Sequence, residues 1–297
     1  MYPAPFRYHR ATSVEAAIRQ LSELGEGARA LAGGQSLLVW MKMRFGDFTD
    51  LVDIGRIPGL DGIEQNASGV RIGALATHAR IARSPLAKLL PIVGDCANGI
   101  ADNQVRSRGT IGGSLASGDP ACDWPVLLTT LDATLHTQGP GGKRDLPVDG
   151  FVEDLYVTQL KPGELVTGVS FAMPAKGSAG AYVGFKRCAP AYPTISVGVQ
   201  LSLKGEQCED VRIALGSAGL TTIHARAAEA ELRGKTLTPA VLARAADAAV
   251  AECDPVDDQR GSIAFKQSIV KVLVKRGIGT AKRRCQGEAV EVSHEYY

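Results

Sequence analysis

Closely spaced cysteines are missing from this sequence of 297 residues, whose six thiols lie far apart at positions 96, 122, 188, 208, 253 and 285. The short Cys spacings that ligate zinc or iron–sulfur clusters do not occur, so any cluster serving this protein belongs to another chain. A chain of this length fills a core without disulfide staples, and the thiols are expected to be reduced and mostly buried. Apolar runs long enough to cross a bilayer are also missing. The opening Met1-Tyr2-Pro3-Ala4-Pro5-Phe6-Arg7 lacks the basic, apolar and small-residue order of a signal peptide. A cytoplasmic protein is the expectation. Neither sign of charge dominates: 33 basic residues are scattered among 31 acidic ones for a net +2, which leaves no basic stripe for nucleic acid. The chain does carry 45% hydrophobic and 22% charged residues, the balance of a globular protein with one large or two modest domains.

Along the chain, Thr12 and Glu15 read as a capping box, and Val14, Ala17, Ile18, Leu21 and Leu24 recur at helical spacing until Gly25. A short apolar run over 28–32 reaches Gly33-Gly34-Gln35-Ser36, after which Leu37 to Met41 begins a second helix. Leu51 to Ile54 and Val70 to Ile72 read as strands, and 79–97 as helix broken near Ser84-Pro85. Residues 98–125, rich in Gly, Ser, Asp and Asn, read as one long loop, and loops of that length usually have a function. Ile195 to Leu203 alternates apolar residues and predicts a strand with one buried face. Pro174 to Gly180 is a linker, and helices are expected over 225–233, 239–251 and 262–281. The division is 1–177, 178–285 and an unpatterned, flexible tail over 286–297.

Two glycine loops carry the chemistry: Ala32-Gly33-Gly34-Gln35-Ser36-Leu37 and Thr110-Ile111-Gly112-Gly113-Ser114-Leu115. Glycines reach backbone conformations closed to other residues, so consecutive N–H groups can converge on a phosphate, and the missing side chains admit the ligand. Ser36 and Ser114 add hydroxyl donors, and a helix after each loop would turn its positive end to the same anion, as a dinucleotide's pyrophosphate requires. Neither loop has Rossmann or Walker spacing. A lone Gly-Gly equally marks a tight turn; two with matching endings favour a cradle.

These loops, with Gly118-Asp119-Pro120, Asp123 and Pro125, resemble the medium, FAD-binding subunit of carbon monoxide dehydrogenase and related molybdenum hydroxylases, the xanthine dehydrogenase FAD subunits included. The resemblance runs from Phe6-Arg7-Tyr8-His9-Arg10 and Leu51-Val52-Asp53 through Ile72-Gly73-Ala74-Leu75-Ala76-Thr77-His78 to Lys186-Arg187 and Tyr192. It implies an α+β chain: a vanillyl-alcohol-oxidase-like (PCMH-type) FAD-binding domain of two α/β subdomains, followed by a smaller domain of antiparallel sheet plus helices.

By the same resemblance, Ala32, Gly33, Gly34, Gln35 and Ser36, together with Thr110, Ile111, Gly112, Gly113 and Ser114, hold the pyrophosphate and ribityl chain of FAD through N–H and hydroxyl donors. Asp123 accepts from the nucleotide end, although a carboxylate there also suits a helix N-cap. Lys186 lies near the flavin, against the alternative of a solvated lysine, and Thr77 lies near the cofactor. His78, Arg106 and Arg108 are left out as surface or capping residues. Tyr192 covers the isoalloxazine, but Pro190 and Pro193 stiffen its loop where relatives carry Gly-Asp-Tyr-Ala, which argues against gating. Gln35 stands where some relatives have histidine. No catalytic side chain and no metal site is expected on this chain. The implied role is electron relay, from [2Fe-2S] clusters on a small partner subunit through FAD to an external acceptor, with the molybdenum cofactor on a large partner and a dimer of heterotrimers as the assembly. Such a complex could also sit at the inner face of the membrane. The alternatives are a self-contained FAD oxidase and a non-catalytic adaptor.

Overall fold

The computed structural model describes residues 2–66 and 68–292, with the backbone of 295–296. Three layers follow in chain order. The first pairs β1 (Arg7–Arg10), β3 (Asp50–Asp53) and β2 (Ala28–Leu31) in parallel, in that order. Parallel neighbours need crossovers, supplied by α1 (Val14–Leu24) and α2 (Leu37–Met43). Ala17 and Ile18 of α1 are buried against Val52, Ile54 and Leu75. The cap of α1 is Ser13, whose hydroxyl accepts the Ala16 N–H at 3.1 Å, and not the expected Thr12–Glu15 box. Glu15 instead accepts from Gln138 at 3.1 Å.

The second layer is an antiparallel sheet of β4 (Ile63–Asn66), β5 (Gly69–Gly73), β10 (Leu165–Phe171), β6 (Thr134–Gly139) and β7 (Gly142–Pro147), in that order. Between β5 and β6 run α3 (His78–Ala82), α4 (Pro85–Leu89), α5 (Pro91–Gly99), α6 (Asn103–Arg108), α7 (Ile111–Ala116) and α8 (Asp123–Thr130). Their core gathers Ile72, Ile81, Ile111, Trp124 and Leu127. The expected long loop over 98–125 is therefore corrected: most of it is helical. Small residues there signal close packing, since a Cβ on Gly112 would meet the Ala74 Cβ at 2.5 Å and its carbonyl oxygen at 2.8 Å. A hairpin of β8 (Val152–Asp154) and β9 (Val157–Thr158) lies beside these helices.

The third layer orders β14 (Ile223–His224), β13 (Gln207–Gly216), β12 (Ile195–Lys204), β11 (Ala179–Lys186) and β15 (Glu295–Tyr296). Helices α9 (Arg226–Leu232), α10 (Pro239–Ala251) and α11 (Ile263–Cys285) share one core with Ile195, Val197, Val199 and Leu201 of β12. The opposite face of β12 was expected in solvent, yet Ser196 and Gly198 are buried too. There α8 crosses the sheet: a Cβ on Gly198 would collide with the Thr130 hydroxyl, and one on Gly216 would meet the Val126 methyl at 2.5 Å. The small residues of that face are a docking surface inside the chain.

Polar contacts close the seam. Arg284 pairs with Asp95 at 2.7 Å, both side chains under a tenth exposed. The Tyr182 hydroxyl donates to Asp123 at 2.9 Å, and Lys186 Nζ donates to the Gly99 carbonyl. His224 is held between Asp149 and Glu229 at 2.8 Å each. The expected free tail is corrected over 286–292, where Arg284 donates to the Val290 carbonyl at 2.7 Å, Arg283 pairs with Glu288, and Val292 packs on the third layer. Residues 293, 294 and 297 of that expectation lie outside the described residues.

Candidate cofactor cleft

A cleft of about 1150 Å³ runs between the first two layers and reaches the edge of the third. That is at or above the roughly 300–1,000 Å³ of ordinary small-molecule sites, so an extended ligand suits it. Both glycine loops form its wall. The first leaves β2 and turns at Gly34, whose φ of 75° is the left-handed region that glycine supplies without strain. A Cβ on Gly33 would collide with the Arg108 carbonyl, so this loop rests directly on the chain leading to the second. Among the described residues no acceptor takes the N–H groups of Gly33, Gly34, Gln35 or Ser36, while the carbonyls of Gly34 and Ser36 receive the Leu38 and Trp40 amides. These four successive donors, free of partners within the fold, belong to residues that line the cleft.

The second loop is built otherwise. Its Ile111 and Gly112 amides donate to the Ala76 and Ala74 carbonyls at 3.1 and 2.9 Å, and the Ser114 amide to Thr110. The Thr110 hydroxyl caps α7 by accepting the Gly113 N–H at 3.2 Å. The expectation that 110–114 offers backbone donors to a phosphate is thereby corrected. The amides of Ile111, Gly112, Gly113 and Ser114 are occupied in anchoring the loop, and what it presents is the Ser114 hydroxyl, bare glycine backbone and the end of a short helix.

Of the residues singled out from sequence, Ala32, Gly33, Gly34, Gln35, Ser36, Thr110, Gly112, Gly113, Ser114, Asp123 and Tyr192 line the cleft. Three do not. Ile111 is fully buried beneath its loop. Thr77 caps α3, accepting the Arg80 N–H at 3.2 Å, and forms a β-bridge with Thr110. Lys186 is only 1% exposed at the seam, which removes the solvated-lysine alternative and also keeps it off the cleft wall. Asp123 is not a cap either: Cys122 holds that position, and Asp123 opens α8 with its carboxylate on Tyr182.

The structure adds residues that the sequence did not single out. His78 lines the cleft, buried, with Nδ1 accepting from the Trp124 indole N–H at 2.9 Å. Burial first, and the nearby Arg106 second, bring its pKa down to about 4, so the ring is neutral and carries its proton on Nε2, against Gly109. Arg106 itself is taken up by the Ile100 and Ala101 carbonyls at 2.6 Å. One end of the cleft is aromatic. Trp40 and Tyr156 meet edge-on with centroids 5.5 Å apart, and Tyr156 and Tyr192 both neighbour Asp119. Burial raises the Asp119 carboxyl above its usual range. The Tyr192 ring is 44% exposed, but its hydroxyl end turns inward to Ser36. The adjoining Cys122 thiol, then burial and Asp119, raise that hydroxyl's pKa. Cys122 itself is pushed up to about 12 by burial and is an inert thiol. The Tyr192 loop is tied down where the Pro193 carbonyl accepts from Ser217 at 3.0 Å and Arg260 at 3.3 Å.

Among the described residues, no helix is long and apolar enough to cross a membrane, and no group of three or more His, Cys, Asp or Glu side chains could hold a metal ion. Comparison with known proteins matches residues 4–174 to the FAD binding domain in molybdopterin dehydrogenase and 180–281 to the CO dehydrogenase flavoprotein C-terminal domain. The chain is 38% identical to the carbon monoxide dehydrogenase medium chain of Hydrogenophaga pseudoflava, over 96% of this chain and all of that one. It is 36% identical to the 6-hydroxypseudooxynicotine dehydrogenase complex subunit alpha of Paenarthrobacter nicotinovorans, over 99% of this chain and all of that one. A solved carbon monoxide dehydrogenase from Hydrogenophaga pseudoflava, lacking the Mo-pyranopterin moiety of its molybdenum cofactor, superposes with a TM-score of 0.94 at 40% identity, covering 96% of this chain and all of that one. With the cleft, its two glycine loops and full-length similarity in agreement, the chain belongs to the family of FAD-binding medium subunits of molybdenum hydroxylases.

Proposed function

We propose that this chain holds FAD in the cleft and relays electrons to an external acceptor, taking them from [2Fe-2S] clusters on a small partner subunit after a substrate is oxidised at molybdenum on a large one. The observation that carries the reading is the first glycine loop, with four successive N–H donors free of other partners on the wall of a cleft sized for a dinucleotide. FAD supplies the ability to take electrons singly and release them in pairs, while the chain positions it and controls access. Ala32 to Ser36 would bind the pyrophosphate. Thr110, Gly112, Gly113 and Ser114 would let it approach bare backbone and one hydroxyl, and Asp123 would accept from it. Tyr192 would cover the ring, and its anchored loop favours a fixed cover over a moving gate. Ile111, Thr77 and Lys186 act one step away, by holding the loops and the seam. The assembly fits a dimer of heterotrimers in the cytoplasm, at the inner face of the membrane where the complex meets a membrane-bound acceptor.

A self-contained oxidase would use the third layer as a substrate cap. That layer turns one sheet face to its own helices and the other to α8, which favours the relay. The test is the absorbance spectrum of the subunit alone and co-expressed with its partner chains, followed by denaturation to release flavin. About one FAD per chain in both samples, with iron–sulfur bands only in the second, is expected. A colourless subunit in both overturns the proposal.

A further inference from the structure

The five-stranded sheet of the second layer has a polar outer face that the cofactor cleft does not use. Ile72, Leu135 and Val169 turn the other face into the core, so the adjacent Arg71, His136 and Ser170 point away from it. Strand register sets these side by side: Ser170 of β10 faces Arg71 of β5, and His136 of β6 faces Asp145 of β7. His136 reaches both ways, with Nδ1 at 2.7 Å from the Asp145 carboxylate and Nε2 at 2.8 Å from the Ser170 hydroxyl. A carboxylate only accepts, so Nδ1 carries the ring proton, and in the neutral ring Nε2 accepts from the Ser170 O–H. Tautomer and order are those of a serine nucleophile, its base and the group that orients the base. The His136 side chain is only 16% exposed, and three separate strands fix the three partners.

Beside this row a cavity of about 630 Å³ opens between the sheet face, Val14 at the start of α1 and the turn over 59–62. It has the size of an ordinary small-molecule site, and neither glycine loop reaches it. His136 and Asp145 line it, and Arg71 and Lys143 bring two exposed cations to its wall. We propose that Ser170, His136 and Asp145 form a second reactive site, an esterase centre for small esters that carry a negative charge, independent of the flavin. Ser170 Oγ bonds to the ester carbonyl carbon while His136 Nε2 takes its proton. The C–O bond to the alcohol then breaks, and Nε2 returns the proton to the departing alkoxide. Water, deprotonated by the same nitrogen, attacks the acyl carbon; the Oγ–C bond breaks, the acid leaves, and Ser170 regains its proton. The amides of central strand β10 are committed to its two neighbours, so the oxyanion falls to Arg71, directly across from Ser170. Lys143, two residues before Asp145 on the same face of β7, meets the charge on the substrate.

The test treats the full chain as purified with a fluorophosphonate probe, located by peptide mass, and follows release of p-nitrophenol from p-nitrophenyl hemisuccinate and p-nitrophenyl acetate. The probe is expected on Ser170, with faster release from the anionic ester. Ser170→Ala and His136→Gln should bring labelling of that position and ester turnover to background. Asp145→Asn, whose amide donates to Nδ1 and so moves the ring proton to Nε2, should slow both by about a hundredfold. Arg71→Gln should slow turnover by a similar factor. Melting temperature and FAD per chain, measured on every variant, are expected at the wild-type values. An unlabelled Ser170 in the wild-type chain overturns the proposal, as does wild-type labelling in His136→Gln or wild-type turnover in Ser170→Ala. A chain without flavin that still labels at Ser170 overturns the relay reading and supports this one.

Discussion

The two glycine loops share a Gly-Gly-polar-Leu ending and touch each other through Gly33 and the Arg108 carbonyl, yet they use their backbones in opposite ways. In the first, the amides are left for a ligand. In the second, those of residues 111–114 are bonded into the fold, and Gly112 serves close packing on Ala74. A glycine pair thus marks either a donor surface or a point of backbone approach, and only the destination of its N–H groups distinguishes them.

The largest expected effect that tests this contrast is on acidification, and it falls on the second loop alone. His78 supports that loop with a neutral ring, its pKa down at about 4 against an ordinary 6.5. Between those values the unfolded chain binds a proton that the folded chain refuses. The ring's contribution is therefore whole above about pH 6.5 and is lost as pH falls toward 4, roughly 3 kcal/mol in all. His78→Gln, whose amide oxygen still accepts from Trp124, should flatten the acid limb of the flavin-free subunit's thermal stability. A wild-type profile already flat across that window would remove His78 from the argument.

Next in size is Gly112→Ala. The added methyl has only the backbone and Cβ of Ala74 to press on, and the overpacking should cost about 1–3 kcal/mol. The flavin-free protein should melt earlier, with flavin loss following from unfolding. An unchanged melting temperature would place Gly112 with the donor loop. The smallest effects form a pair. Thr110→Ala removes the cap of α7 and should cost about 1 kcal/mol of stability, with the folded fraction binding FAD as before. Ser36→Ala should leave stability alone and weaken FAD binding by up to about tenfold, the value of one hydrogen bond. If the two variants exchanged these outcomes, the assignment of roles to the loops would be reversed.

The family motifs were legible because they are local: the turn at Gly34, the strand before it and the helix after it all lie within a few residues. Helix α10 was equally legible, since Thr238 caps it and Pro239 opens it at the positions local rules favour. What escaped notice depends on distant chain. Gly112 reads as loop because nothing nearby announces that Ala74 lies against it. Alternation in β12 identified one buried face, but Ser196 and Gly198 look solvent-facing until α8 packs on them. Lys186 is an unusual residue to bury, and its acceptor, the Gly99 carbonyl, is 87 residues away. His78 passed as a surface histidine because its partner Trp124 is 46 residues on.

The seam between α8 and the third layer bears on how such subunits diverge. Two separately recognisable sequence modules meet there, yet Asp123 at the start of α8 is both a wall of the cofactor cleft and the acceptor for Tyr182 of the following module. A C-terminal module borrowed from a relative would have to bring its own tyrosine, and its own glycines opposite Thr130 and Val126, or it would displace the helix that shapes the flavin's surroundings. A chimaeric chain is therefore expected to fold only with a C-terminal module that keeps the same small-residue face, because the two halves share one packed seam.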